Sequence, residues 1–545
     1  MMKKFKLYLK RNIVSTLETL SLPNVEFTLS EPKNMDFGDL SSNLPLLIGS
    51  GEKINPLEIG ESIAQNLKEK CLEDIIEINV TPPGFINFKI SQDFFQNKIN
   101  LIIKNNENYG KGNIGSGKTA NVEFVSANPT GPLTVGHGRN AILGDTISKI
   151  LEWQNFKVTR EYYYNDAGRQ MRILGKSVEA RYYELLGKSF DFPKDGYQGK
   201  YINDIAKIVL EKKGGNLKSG DEFFRKIAEE IIFNDIKNSL RKLDVKFDHF
   251  TNEKTFYENG DIDKLLKNLA DKNLIYKKDN ATWFRTSALG KNQDRVYIKS
   301  SGEPTYRVPD TAYHLDKIKR KYDLIVDIFG ADHADTYPDV IIALKALGLK
   351  TNHIKVLLYQ FVTLIRNGEK IKMSTRQANF ITLEELIKEL GPDVVRYFFI
   401  MRSMNTHLDF DLDVAKDQSE KNPVFYLQYA YARICNIIKR ADEVEQNQKQ
   451  SKKNSLLVHK DEMNMLKHMV RFPEVIDIAY ENLEPQHIAN YLQQLASYFH
   501  KFYSQCKVIN DNKDLTYARI RLIKSVKIIL NNGFNILGIH SPERM

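Results

Sequence analysis

The sequence predicts an α/β protein built on a doubly wound parallel sheet, with a small α+β unit before it and an all-helical region after it. Three observations lead there. From Asn121 to about Asp411, strand-like runs (NVEFVSA, KVTREYYY, YDLIVDIFG, IKVLLYQFVTLI) alternate with helical ones such as Gly138–Gln154. That alternation marks parallel strands joined by helical crossovers. The first 110 or so residues are mixed in character, and after about Val414 the periodicity is helical throughout. A chain of 545 residues is also too long for one core, so several domains are expected.

The elements follow in order. Phe5, Leu9, Ile13, Leu17 and Leu20 recur at helical spacing, giving an amphipathic first helix of the mature protein and not a targeting peptide. A helix around Pro56–Lys70 precedes a strand pair, IIEINVTPPGFINFKIS, with Pro-Pro-Gly as its turn. A polar, glycine-rich linker, NNENYGKGNIGSGKTA, closes this unit, which spans residues 1–110. The doubly wound unit spans 111–413, interrupted from about Met171 to Asp279 by a charged helical stretch read as an insertion. Residues 414–545 are helical, with Leu427, Tyr431, Ile434 and Ile438 on one face and a polar connector at 443–455.

Composition narrows the function classes. No apolar run approaches the ~20 residues that cross a bilayer, so no membrane partner is expected. Cys71, Cys435 and Cys506 are far apart and show no metal-ligand spacing, which predicts neither a disulfide framework nor a protein metal site and suits a reducing cytoplasm. Lys plus Arg exceed Asp plus Glu by 79 − 69 = 10. That excess fits either a polyanionic partner or a lysine-rich composition, and alone does not choose between them.

Gly112–Thr119, GNIGSGKT, matches the phosphate-loop pattern. A phosphate loop needs a strand before it and a helix after it, so that backbone N–H groups converge on the anion. Here a polar segment precedes and the strand VEFV follows, so the match is read as a linker.

Two separated segments carry the chemistry. SANPTGPLTVGHGRNAILGD, residues 126–145, places Gly136 and His137 where the chain turns into a helix. A glycine there lets a purine and phosphates approach the backbone, and the histidine can donate to a phosphate oxygen at the positive helix end. More than two hundred residues later, GEKIKMSTRQANFITLEEL sets Lys370, Lys372 and Arg376 around Met373, Ser374 and Thr375. Those cations can fold over a triphosphate. Either segment alone has an ordinary reading, a surface histidine or a basic loop.

Together the segments resemble the HIGH-type and KMSKS-type signatures of class I aminoacyl-tRNA synthetases, and the arginyl-tRNA synthetase family most closely. That family's pattern also includes EYYxNDAGxQ, which here reads EYYYNDAGRQ from Glu161 to Gln170. DFGDLSSN, PGFINFKIS, DVVRYFFIMRSMNTHLDFDLDVA, FYLQYAYARI and the ending GIHSPERM extend the likeness along the chain. It implies a Rossmann-type catalytic domain that activates L-arginine with ATP and Mg2+ and esterifies it to tRNA(Arg), in the cytoplasm and as a monomer by default. A class I synthetase of another specificity and a catalytically silent tRNA-binding relative are the competing readings.

Residue by residue, the resemblance assigns His137, Lys372, Ser374 and Arg376 to catalysis. ATP contacts fall to Thr134, Gly136, His137, Gly330, Asp332 and Met373. Arginine contacts fall to Glu123, Asn128, Tyr306, Asp310 and His333. An arginine side chain needs acceptors that match its planar fork of donors. Ordinary readings stand beside these: Tyr306 as a core aromatic, and Asp310 or Asp332 as a helix cap. Three departures are visible. Thr134 replaces the first histidine of the HIGH-type signature, Thr375 the second lysine of the KMSKS-type one, and Ala378 a usual glycine. The resemblance further implies a tRNA-elbow module at 1–110 and an anticodon-binding bundle at 414–545. Tyr426, Gln428, Tyr429 and Arg433 offer stacking and hydrogen-bonding groups there.

Overall fold

The structure is a computed structural model and describes residues 2–32, 34–371, 381–444 and 454–545. The central layer is a five-stranded sheet, all parallel. Its spatial order is Ile354–Tyr359, Leu324–Gly330, Thr119–Glu123, Lys157–Tyr164 and His249–Asn252. The chain enters at the middle strand, winds outward one way, and then crosses to the other side. The switch point therefore lies between the strands ending at Glu123 and Gly330. Outside the carboxyl ends of such strands is where nucleotides bind. The edge strand His249–Asn252 belongs to the stretch read from sequence as a helical insertion. Helices Gly168–Leu185, Lys200–Lys213 and Phe223–Lys242 occupy the rest of that stretch's first part.

The helix after the first strand runs from Val135 to Trp153, and Ile142, Ile147, Ile150 and Leu151 are all buried. It stops because Asn155 takes a left-handed conformation, φ 70°, which Asn tolerates better than most residues. Its orphan carbonyls are met by the glycine-rich linker: Gly112 N–H donates to Trp153 O (3.0 Å) and Gly115 N–H to Gln154 O (2.8 Å). The linker's amides thus cap the negative end of a helix dipole, the opposite of a phosphate site. That accounts physically for rejecting the phosphate-loop match.

A second small sheet sets strand Val362–Arg366 between Glu369–Lys370 and Leu408–Asp411. Before the doubly wound unit lies a four-stranded antiparallel sheet containing the expected strand pair, Ile75–Thr81 and Phe85–Ile90. The first helix, Met2–Thr19, buries Phe5, Leu9, Ile13 and Leu17 on one face. After the doubly wound unit, the helices Pro423–Val444, Lys460–Met469, Phe472–Asn482, Gln486–Gln505 and Lys513–Leu537 pack together. Most of the expected polar connector, 445–453, lies outside the described residues. The N-terminal unit docks on these helices through Lys3–Asp477 (2.7 Å), Lys6–Glu474 (2.9 Å), Arg471–Glu31 (2.6 Å) and Lys467–Asp39 (2.6 Å).

Candidate active site

The first strand leaves the sheet in strained backbone. Val125 and Ser126 have φ of 64° and 45°, and a β-branched residue there costs about 1–3 kcal/mol. Val125 N–H donates to Asn140 Oδ1 (2.9 Å), Ser126 Oγ to Glu123 Oε1 (2.9 Å), and Tyr162 OH to Ala127 O (2.7 Å). Asn140 Nδ2 in turn donates to Ile328 O (2.9 Å), so one side chain bridges both strands of the switch point.

Thr134 is the N-cap of the following helix, and its backbone N–H donates to His137 Nδ1 (3.2 Å). The ring proton therefore sits on Nε2, the atom free to donate to an anion. Burial pushes the imidazole down to about 4, against the pull of Asp332, so it is neutral at pH 7. A side chain at Gly136 would meet nothing nearer than Thr134 Oγ1 at 3.7 Å. The space beside the helix terminus is open, as a nucleotide site requires. Arg139, fully buried, donates to the carbonyls of Gln360 (2.6 Å), Ser403 (3.1 Å) and Thr406 (3.3 Å). It fastens this helix to the chain that leaves the sheet's other side.

Gly330 ends its strand at the same edge, and Asp332 and His333 follow in a short 3-10 turn, Ala331–His333. Both side chains are exposed, and His333 stacks on Phe329 (centroids 5.2 Å apart). The next helix, Tyr337–Ala346, is preceded by Thr336, so Asp332 does not cap it. Lys372, Met373, Ser374, Thr375, Arg376 and Ala378 lie outside the described residues. The segment just beyond them is anchored: Thr382 pairs with Thr134 in an isolated β-bridge.

Near the end of the first strand, Glu123, Glu253 and Asp310 form a cluster of carboxylates. Tyr306 is the N-cap of helix Arg307–Lys319 and is 68% exposed, so it is not core. Asp310 is the fourth residue of that helix and does not occupy the cap position. Among the described residues no side chain donates a hydrogen bond to its carboxylate. Burial, with Glu123 and Glu253 nearby, pushes Asp310 up to about 7, against His314 and Lys317.

Glu253 was not foreseen. It stands directly after the edge strand and accepts from Tyr163 OH (3.0 Å) and Asn165 Nδ2 (2.7 Å). Those donors are neutral, so its charge is uncompensated, and burial raises its pKa. Asp310 and Glu253, both raised by burial, form an acidic pair that suits a cationic ligand. Glu123 is already engaged, its Oε2 accepting from the buried Lys317 (2.5 Å). Asn128 ties the first signature to the NDAG segment, accepting from Asn165 N–H (3.0 Å) and donating to Gln170 Oε1 (3.2 Å).

A doubly wound sheet with a Gly-His helix terminus at its switch point, and a second signature segment bridged to it, defines a class I aminoacyl-tRNA synthetase. Family models agree along the chain. Residues 7–90 match the arginyl tRNA synthetase N-terminal domain, 98–396 the class I (R) tRNA synthetase catalytic domain, and 427–545 the DALR anticodon-binding domain. The chain is 44% identical to the arginine–tRNA ligase of Salinibacter ruber, covering 99% of this chain and all of that one. It is 45% identical to that of Desulfotalea psychrophila, covering 95% of each. The Thermus thermophilus arginyl-tRNA synthetase structure superposes with a TM-score of 0.76 over 99% of this chain and all of that one. At 19% identity this is a likeness of fold. The chain belongs to the arginyl-tRNA synthetase family.

Proposed function

We propose that this protein activates L-arginine with ATP and transfers it to tRNA(Arg); its relatives are named arginine–tRNA ligases. The observation that carries this reading is the half-buried Asp310, raised by burial and by Glu253 nearby and with no side-chain donor among the described residues, together with the open helix terminus at Gly136 and His137. Tyr306 and Asp310 accept the guanidinium. Asn128 and His333 hold the α-amino end.

The arginine carboxylate attacks the α-phosphorus of ATP, forming arginyl-adenylate and expelling pyrophosphate. His137 Nε2–H donates to phosphate oxygen as charge develops. Gly330 and Asp332 meet the ribose, and Lys372, Met373, Ser374 and Arg376 close over the phosphates. The terminal ribose hydroxyl of tRNA then attacks the activated carbonyl and AMP leaves. Such chemistry rests on positioning and charge compensation, with no side-chain nucleophile. Mg2+ enters with ATP on its phosphates. No group of three or more metal-ligating side chains occurs among the described residues.

The N-terminal unit, 1–110, and the helical unit, 414–545, flank the catalytic unit, 111–413, and engage the tRNA elbow and anticodon. No helix among the described residues is long and apolar enough to cross a membrane. The three free thiols suit a reducing compartment, and we place the enzyme in the cytoplasm as a monomer.

ATP–pyrophosphate exchange with each of the twenty amino acids, with and without tRNA, tests this. Exchange with arginine alone, and only when tRNA is present, is the expected result. Exchange with another amino acid would overturn the pocket assignment. No exchange under any condition would favour a silent tRNA-binding relative.

A further inference from the structure

Helix Arg307–Lys319 carries more than Asp310. Two turns further on, Lys317 is completely buried, and its ammonium lies 2.5 Å from Glu123 Oε2 and 2.5 Å from Asp327 Oδ1. The same ammonium stands over the Tyr313 ring, 4.3 Å from its centroid. Tyr313 stacks on Tyr163 (4.4 Å), whose hydroxyl holds Glu253. Between Asp310 and Lys317 stands His314. Its Nδ1 faces the Asp310 carbonyl (2.8 Å) and its Nε2 faces Asp327 Oδ2 (3.0 Å). Both neighbours are acceptors, so both ring nitrogens carry protons and the imidazole is cationic.

The buried charges beneath the pocket therefore cancel. Lys317 and His314, on one helix, balance Glu123 and Asp327, which are paired on two neighbouring strands. Asp310 and Glu253 are left without a cationic hydrogen-bond partner among the described residues. A lone buried carboxylate at Glu123 would compete with Asp310 for any arriving cation, and would also resist ionisation there.

We propose that Lys317 is a positioning residue for the amino-acid substrate: it fixes and neutralises Glu123, so that the guanidinium is bound through Asp310 and Glu253. This rests on the arginine reading of the site. Lys317 touches neither substrate nor reacting atoms; it acts through Glu123.

The test is steady-state aminoacylation by the full-length enzyme with tRNA, comparing wild type, Lys317→Met, Glu123→Gln and the double variant. Lys317→Met should raise the arginine KM by on the order of tenfold or more, while the ATP KM stays within about twofold. In the double variant no carboxylate is left uncompensated at 123, so its arginine KM should fall back toward that of Glu123→Gln alone. Parallel rises in both KM values would mean a merely structural role and overturn the inference. Singles that simply multiply in the double variant would also overturn it, as would an unchanged arginine KM. Should Lys317→Met not fold alone, the comparison of the double variant with Glu123→Gln decides: equal arginine KM supports the inference, a further rise refutes it. The wild-type measurement separates the two levels. Charging of an amino acid other than arginine would remove the underlying reading as well, whereas arginine charging with unchanged KM ratios would sink this inference alone.

Discussion

Leu383 donates its backbone N–H to the carbonyl of Leu133, 2.8 Å away. Leu133 immediately precedes the helix cap that orients His137, and Leu383 opens the helix that follows the second signature. The two signatures, more than two hundred residues apart in sequence, are thus joined by main chain.

The joint predicts an effect at Gly138. A Cβ there would lie 2.5 Å from Leu383 Cδ1 and 3.3 Å from Phe399 Cε2. Alanine gains up to about 1 kcal/mol in helix propensity over glycine, but forcing Leu383 aside costs about 1–3 kcal/mol. The clash should win. Gly138→Ala is expected to lower Tm and, by displacing the anchor of the second signature, to lower kcat more than it raises the arginine KM. An unchanged kcat would show that this joint does not control the loop.

Asp310 gives a pH prediction. Its carboxyl is pushed up to about 7, first by burial. A raised carboxylate binds its proton more tightly in the folded state, so its effect on stability is favourable at low pH and is lost as pH rises through about 7. Arginine needs the charged form. Below pH 7, kcat/KM for arginine should therefore fall by up to about tenfold per pH unit, and Asp310→Asn should flatten that limb at a much lower level. A profile flat from pH 6 to 8 in the wild type would contradict this.

His137 behaves differently. Burial holds it near 4, so it is a neutral donor throughout the working range and contributes no limb near pH 6.5. Its lowered value makes the fold lose stability as pH drops from about 6.5 toward 4, where the unfolded chain accepts the proton more readily. Removing its donor should cost about 10²–10³ in kcat. Thr134→Ala removes a hydroxyl but keeps the N–H that orients the ring, and should cost far less. Comparable losses from both changes would refute the backbone-orientation argument.

The parallel sheet was legible because strands and helices alternate with clear periods, and the proposed nucleotide edge was suggested by two separated motifs. The acidic pocket was legible only in part. Tyr306 and Asp310 could be carried over from a motif, but Glu253 follows a strand of four residues, HFTN, too short to show a period and lying inside a helical-looking stretch. A signal nearby was available: Asp279 and Asn280, with φ of 50° and 57°, form the turn of an antiparallel pair, Ile275–Lys278 with Ala281–Phe284. Asp-Asn between β-rich runs is a hairpin cue. Lys317 had no local signature at all, since a lysine at helical spacing ordinarily reads as solvated surface. Only the tertiary placement of Glu123 and Asp327 makes it a core residue.

The rejected phosphate-loop match also has a test. Lys118 sits in a turn whose neighbouring amides are occupied by the helix end at Trp153 and Gln154. Lys118→Ala should leave kcat and the ATP KM within about twofold of wild type. A tenfold rise in ATP KM would reinstate the loop as a phosphate site.

The last prediction concerns what holds the catalytic and helical units together. Arg396, 1% exposed, donates to Leu537 O (2.9 Å), Leu243 O (2.7 Å) and Asp145 Oδ2 (2.5 Å). One guanidinium thus meets the final helix, the end of helix Phe223–Lys242 and the signature helix at once. Burial alone would raise Asp145, but Arg396 and Lys149 outweigh it and hold the carboxyl below its usual range. Its stabilisation is therefore present above the unfolded value and lost as pH falls through the lower folded one. Arg396→Met leaves two buried carbonyls unmet and takes from Asp145 its 2.5 Å partner, leaving Lys149 at 3.0 Å and Arg160 at 3.7 Å. The loss should be about 3–5 kcal/mol, read as a lower urea midpoint. Asp145→Asn added to Arg396→Met removes the under-compensated buried charge and should recover part of that loss, since a buried pair costs most when only one partner is taken away. If the double variant is no more stable than Arg396→Met alone, the pairing with Asp145 is not the main term, and the carbonyls at Leu243 and Leu537 carry the effect.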